Sequence, residues 1–396
     1  MEHIGAILSG KERQRGFMGL YWGRVIMTVS GGLLGVFLPI FLYNLFDKNI
    51  HAVVLYYVLG SLVYMILAPL GVQFLNKFGF RKSLVVSTIA AAIMYTAYYF
   101  TTAATLWYLI PLSLVMLIAF RLFFWIPYHI DFAMFTRTKK RGEQVGLMLA
   151  TLTLLGVVGP IIAGYLIVHF GMSTLFAISI AAFIAGIIPF SIVPRTNEKF
   201  SWSYRRSWQE LFAKENRAVV LSSIGSGADD ILGSVIWPIF IFLLLDGDYF
   251  KIGALSSFIA GATVLLQLLL GRHLDKMGNK NQILKLGSVL YAVGWIIKIF
   301  VATAFQVFIA GIYHKFTKVF TDTSFDAIFY EMAADQGHYI DEFTLLSELA
   351  VQIGKIMALI IASIVALYVG LQWTFIIGAL AALSFNTLYT LRENRG

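Results

Sequence analysis

Long apolar runs separated by short polar loops make up almost the whole chain. Twelve stretches hold about 20 or more mostly apolar residues, the length needed to cross the hydrocarbon core of a bilayer. They run approximately over 17–43, 52–75, 83–102, 105–135, 145–168, 172–194, 218–244, 252–271, 282–303, 305–333, 342–369 and 371–391. The fourth and tenth exceed the minimum, which predicts tilt or protrusion past the membrane surface. The one long polar interval, 195–217, leaves six stretches on either side, so the expected domains are an N-terminal half 1–194, a linker, and a C-terminal half 218–396.

The pattern is also written twice. Pro39-Ile40-Phe41, near the end of the first stretch, returns 199 residues later as Pro238-Ile239-Phe240. At the same offset the loop Asn76-Lys77-Phe78-Gly79 returns as Asp275-Lys276-Met277-Gly278. Duplicated six-span halves predict an all-α integral membrane protein with a binding site between pseudo-symmetric repeats.

Composition narrows the function classes. With 59% hydrophobic and 13% charged residues the chain is no soluble enzyme, since soluble domains average about 45–50% apolar and about 25% charged. The formal net charge of +9 raises nucleic acid as a partner, but its placement rejects it. Lys and Arg crowd into alternate loops (Arg81 and Lys82, Lys139 to Arg141, Arg205 and Arg206, Arg272 and Lys276), while the opposite side carries only Lys48 and Lys251. The positive-inside rule then puts both termini in the cytoplasm, in the inner (plasma) membrane of a bacterium, with anionic lipid beside the basic loops. Absence of cysteine removes disulfides and thiolate sites. No nucleotide-binding signature is present, and neither a cofactor nor a bound metal is expected. Trp202, Tyr204 and Trp208 fit either a tethered, solvated linker or a short interfacial helix over 208–213.

The repeated loops carry a family resemblance. Gly271, Asp275, Lys276, Gly278 and Lys280 match a Gly-acidic-basic-Gly-basic signature; Lys77, Gly79, Arg81 and Lys82 match its first copy, where Asn76 replaces the acid and the leading glycine is displaced to Gly71. On these residues the chain resembles the major facilitator superfamily over essentially its whole length. The resemblance implies a conformational latch formed by Asn76, Lys77, Gly79 and Arg81 with Gly271, Asp275, Lys276 and Gly278. Gly146, Gly159, Pro160 and Gly164 approximate that family's antiporter segment, although Leu155 and Ala163 depart from it. This implies proton-driven export; helix packing through Gly159, Pro160 and Gly164 is the alternative. Arg121, following Leu117, is similar to the fourth-span motif whose arginine is tied to proton transfer, with Phe124 and Trp125 as departures.

Ionisable residues deep in apolar spans are functional candidates by default. Arg24 shares one helical stripe with Thr28, Gly31 and Gly35, so it either faces a cavity or snorkels to the headgroups. Adjacent Asp229 and Asp230 point about 100° apart on a helix, and each suits proton pickup and release. Lys315, Asp322 and Asp326 share a stripe in the tenth span, with Lys318 beside them and an internal Lys318–Asp322 pair available at i, i+4. Lys355 has Asp229, Asp322 or Asp326 as possible partners, and Lys298 is equally deep. The expected proton-coupling residues are Asp229, Asp230, Asp322 and Asp326. The expected substrate-binding residues are Arg24, Arg121, Lys315, Lys355, Trp237 and Tyr330. Together these describe a monomeric, proton-coupled transporter of a small organic solute, with export placed ahead of uptake. Uptake of an anionic or zwitterionic nutrient, metal export through Asp229, His314, Asp322 and Asp326, and a non-transporting sensor or scramblase are the alternatives.

Overall fold

A computed structural model of the chain describes residues 10–135, 141–194, 201–274, 280–335 and 340–388. Every regular element among them is helical: α1 (Gly10–Leu34), α2 (Phe37–Leu45), α3 (Ile50–Phe78), α4 (Phe80–Phe100), α5 (Leu106–Phe135), α6 (Arg141–Phe170), α7 (Met172–Ser191), α8 (Tyr204–Leu211), α9 (Arg217–Ile231), α10 (Trp237–Leu244), α11 (Tyr249–Leu274), α12 (Lys280–Ile299), α13 (Ala304–Asp335), α14 (Ile340–Tyr368) and α15 (Phe375–Ser384). Only helices satisfy their own backbone groups in hydrocarbon without closing a barrel. Among the described residues nine helices are long and apolar enough to span, and α1 with α2, bent by 49°, makes a tenth. Polar residues hold α13 below that threshold despite its 32 residues, and the shorter apolar helix over Leu371–Ser384 completes twelve. The linker helix α8 starts four residues before the interfacial helix expected over 208–213.

Both halves break their first span at the same place. Pro39 and Pro238 lack the N–H that would bond the carbonyl four residues back, and their rings crowd it. In the first half that carbonyl belongs to Gly35, where α1 ends and α2 begins. In the second it belongs to Ser234, inside the π-helical turn Leu232–Ile236 that joins α9 to α10. A π turn absorbs an extra residue and re-aims the side chains on either side of it. The sequence pattern reads each span as one uninterrupted run, and only the prolines mark the break.

The next turns repeat as closely. Asp47 and Asp246 adopt φ 53° and 52°, and Lys48 and Gly247 adopt φ 61° and 78°. Asn49 Oδ1 accepts the His51 N–H at 2.9 Å at the start of α3, and Asp248 Oδ1 accepts the Lys251 N–H at 3.0 Å at the start of α11. These are N-caps, each satisfying an orphaned amide. The Lys251 amide holds the Asp248 carboxyl below the usual carboxylate range, and the Lys251 ammonium at 3.1 Å assists. A depressed carboxylate stabilises fully above its unfolded pKa and loses that contribution as pH falls through the folded value. Asp248→Ala is therefore expected to cost about 1 kcal/mol at neutral pH, a difference that closes on acidification, whereas the cost of Asn49→Ala stays constant. Thermal unfolding of both variants across pH checks this.

The chain packs as two compact units, Met1–Gly35 with Ile66–Tyr204, and Val36–Met65 with Arg205–Gly396. Residues 36–65, which belong to the first half by sequence, thus pack within the second unit. In the first unit α1 packs on α6 and α7, and α4 packs on α5 and α7. The second repeats the scheme, with α9 on α14 and α15, and α12 on α13 and α15. Gly159 has its role here: a Cβ on it would lie 2.8 Å from the Gly32 backbone, so α1 and α6 touch main chain to main chain. Pro160 and Gly164 are buried behind it on α6.

Candidate functional site

The second unit builds its polar centre on Asp229. One turn before the π turn, this carboxylate is 2% exposed. Helix α12 presents Tyr291, Trp295 and Lys298 at i, i+4 and i+7, one face of a helix. The Tyr291 hydroxyl donates to Asp229 Oδ1 at 2.7 Å, and Trp295 Nε1–H donates to the same oxygen at 2.8 Å. From α13, Lys318 Nζ donates to Oδ2 at 2.7 Å. Both carboxylate oxygens accept hydrogen bonds from donors on neighbouring helices.

Two further groups crowd this centre. Lys298, 2% exposed, places its ammonium 4.0 Å from the Trp295 ring and 4.3 Å from Trp237. His314 packs against Tyr291 and Trp295 with centroids 4.6 Å away in each case, and its buried Nδ1 has no hydrogen-bond partner. Gly294 makes room for it, since a Cβ there would lie 3.1 Å from His314 Nδ1.

The neighbouring aspartate behaves differently. Asp230 is 57% exposed at its side chain and binds Lys355 Nζ at 2.6 Å, linking α9 to α14. The two aspartates thus face different helices, as their 100° separation on α9 requires. Lys318 pairs with Asp229 rather than with Asp322 one turn on, and Lys355 takes Asp230, the carboxylate absent from its expected partners. Asp322 is half-buried and Lys315 exposed on α13, whereas the side chains of Asp326 and Tyr330 lie outside the described residues. Among the described residues no group of three His, Asp or Glu side chains could hold a metal ion.

The first unit has one comparable centre. The Arg24 guanidinium carbon lies 4.9 Å from the Trp125 ring, 5.3 Å from Tyr128 and 5.6 Å from Phe124, all on α5. These distances are within cation–π range. No acceptor or carboxylate among the described residues pairs with Arg24. The same stripe of α1 is open: Gly31 and Gly35 are exposed, and no atom lies within 4 Å of a Cβ built on Gly31. Arg121 is half-buried on α5, one turn before Trp125.

Gly79 turns between α3 and α4 at φ 81°, a conformation that favours glycine. Asn76 and Lys77 are exposed, Lys77 with its ammonium 5.4 Å from the Phe78 ring, and Arg81 is half-buried. Gly271 is on α11, while Asp275, Lys276 and Gly278 fall outside the described residues.

Tyr291 and Phe124 were not singled out by sequence as site residues, because an aromatic ring in an apolar span looks like packing. The available signal was the i, i+4, i+7 alignment of Tyr291 and Trp295 with the deep Lys298. For Phe124 it was the spacing of Phe124, Trp125 and Tyr128 on one helix turn.

No curated protein sequence matches the chain. Its fold is similar to that of a peptide transporter, POT, solved as a mutant in complex with alafosfalin, with TM-score 0.68, 11% sequence identity, and coverage of 96% of this chain and 94% of that one. The sequence model of the Major Facilitator Superfamily matches residues 20–228, more than half of the length. Two duplicated six-span halves, polar centres inside otherwise apolar helices and that match lead to one conclusion: the chain belongs to the major facilitator superfamily and is an integral membrane transporter, not an enzyme.

Proposed function

We propose that the protein is a proton-coupled secondary transporter of a small organic solute, working by alternating access with Asp229 as its proton-binding group. The observation that carries this reading is the buried Asp229 carboxylate, ligated by Tyr291, Trp295 and Lys318 from two other helices. Protonating it removes the charge that holds Lys318 and turns an acceptor for three donors into a donor itself. The charge-assisted bond to Lys318 is thereby weakened, which would give proton uptake a structural consequence between α9 and α13. A ligand or proton shifts a conformational equilibrium only through such differential interaction. Asp230 with Lys355 would tie α9 to α14 in one state, and Trp237 would line the site. The latch loops would act on rate rather than on binding.

A second reading, proton symport of an anionic or zwitterionic nutrient, is favoured by one observation. Arg24 is a cation inside a span with no carboxylate partner among the described residues, and a substrate anion would complete it. The antiporter-like segment supports neither direction, because Gly159 is accounted for by backbone contact with Gly32. The fold shared with a peptide transporter is compatible with a small organic substrate.

The test is flux in proteoliposomes of a solute found by thermal-shift screening. Flux is expected to follow an imposed pH gradient and to lose that dependence in Asp229→Asn. Gradient-independent flux in the wild type would refute proton coupling. In the orientation proposed, single cysteines at Asn49 and Asp246 react with impermeant reagent from outside, and cysteines at Arg141 and Ser201 only from inside. The opposite labelling pattern would overturn the orientation.

A further inference from the structure

We infer that Arg24 and the rings of Phe124, Trp125 and Tyr128 form the recognition subsite for an organic carboxylate with a flat apolar body. This deepens the transporter reading by giving the substrate its chemical class, and takes from it only that this face of α1 meets solute. The argument begins with what Arg24 lacks. A guanidinium has five N–H donors, is always charged, and matches a carboxylate edge in two parallel hydrogen bonds. Here none of those donors meets a protein acceptor among the described residues, in a span where a charge left without a partner is costly. The rings contribute to this cost without removing it, because cation–π attraction is weaker than a charge-assisted bidentate pair.

The surroundings fix the rest of the ligand. Three rings lie around the guanidinium carbon within 5.6 Å, so aromatic surface borders the anion's place. One unpaired guanidinium bordered by aromatic carbon suits a single carboxylate better than a multiply charged phosphate. The open stripe of α1 runs from Arg24 past Thr28 to Gly31, where a built Cβ meets nothing within 4 Å. Seven residues of helix separate Arg24 from Gly31, about 10 Å along the axis. Trp125 lies against the guanidinium at the Arg24 end of this segment. A carboxylate joined to one planar ring system fits both the length and the lining. Tyr21, on the neighbouring face, is tied to Thr151 by a 2.8 Å hydrogen bond and is buried, which holds α1 against α6 behind the stripe.

The test needs no gradient and no flux. Purified protein is titrated at neutral pH with acetate, benzoate and indole-3-acetate, with benzamide and indole-3-acetamide as uncharged matches, and with inorganic phosphate. Calorimetry and thermal shift are the readouts. Indole-3-acetate and benzoate are expected to bind and stabilise, acetate more weakly, and the amides and phosphate not at all. Arg24→Lys keeps the charge but not the fork, and is expected to weaken aromatic carboxylate binding about tenfold or more. Trp125→Ala should weaken benzoate and indole-3-acetate while leaving the weak acetate affinity unchanged. Equal binding of amides and acids overturns the anion assignment. Equal or tighter binding of phosphate or acetate overturns the flat apolar body. Undiminished binding in both Arg24→Lys and Trp125→Ala moves the site elsewhere, and failure of every carboxylate to bind refutes the subsite. These readouts report binding and need neither flux nor a pH gradient, so proton coupling can fail while the subsite stands, and the reverse.

Discussion

Asp229→Asn is expected to lose about 3–5 kcal/mol of folded stability, the scale for removing one member of a buried ion pair. It should also lose pH-driven flux entirely. The amide keeps the shape of the carboxylate but leaves the Lys318 ammonium, 2.7 Å away, without its counter-charge. Its carbonyl oxygen would turn to Tyr291 and Trp295, which both donate to Oδ1, and its NH2 would then face the Lys318 ammonium, donor against donor. Lys298 stands over Trp295 and makes the local excess of positive charge worse. Lys318→Gln should be milder. The carboxylate then keeps two neutral donors, and hydrogen bonds to a charged group are worth about 1.5–3 kcal/mol each. The decisive protein is the double variant Asp229→Asn with Lys318→Gln. Neutralising both partners should recover most of the lost stability, measured by thermal unfolding in detergent, yet leave flux indifferent to pH. If the double variant regains pH-driven flux along with stability, the pair is only structural and Asp229 does not carry the proton.

That asymmetry explains how far the sequence could be read. The spans and the duplication were legible because a membrane imposes length and hydropathy on every segment, and because Pro39/Pro238 and the loops at Asn76 and Asp275 recur at one offset. Asp229 was legible for the same reason: an aspartate among Ser, Gly and Ile in a span has no cheap alternative explanation. Its partners were not. Tyr291 and Trp295 lie 62 and 66 residues further along, and their alignment with Lys298 on one helix face does not say which helix that face meets. Local spacing also misdirects. Lys318 and Asp322 are well placed to pair along α13, but the Lys318 ammonium bonds Asp229, 89 residues away in the chain. For Arg24, sequence left snorkelling and a cavity equally open. The aromatic turn Phe124 to Tyr128, on another helix, is what holds its side chain in place.

The second large effect is expected from a single methyl group. Gly227 on α9 and Gly354 on α14 approach so closely that a Cβ on Gly227 would collide with the Val351 carbonyl, and one on Gly354 with the Ile224 carbonyl, with the Ala228 nitrogen at 3.0 Å. Backbone cannot rotate out of the way as a side chain can, so Gly227→Ala or Gly354→Ala must push the two helices apart. Overpacking costs about 1–3 kcal/mol, occasionally more, and here exceeds the roughly 1 kcal/mol that alanine gains over glycine in helix propensity. Gly159→Ala should cost less, because its clash with the Gly32 backbone is shallower at 2.8 Å. Gly31→Ala, facing open space, should be neutral or slightly stabilising. Unfolding temperatures of the four variants are expected in that order, and a wild-type value for Gly227→Ala would refute the close contact. The cost would extend beyond stability. Asp230 reaches Lys355, next to Gly354, across this same seam at 2.6 Å, and Asp229 sits one turn from Gly225 on the same helix. A helix displaced by a methyl group therefore lengthens the Asp230 pair and tilts Asp229 against Tyr291, Trp295 and Lys318. Gly354→Ala is expected to lose flux to a greater extent than its unfolding temperature alone would account for.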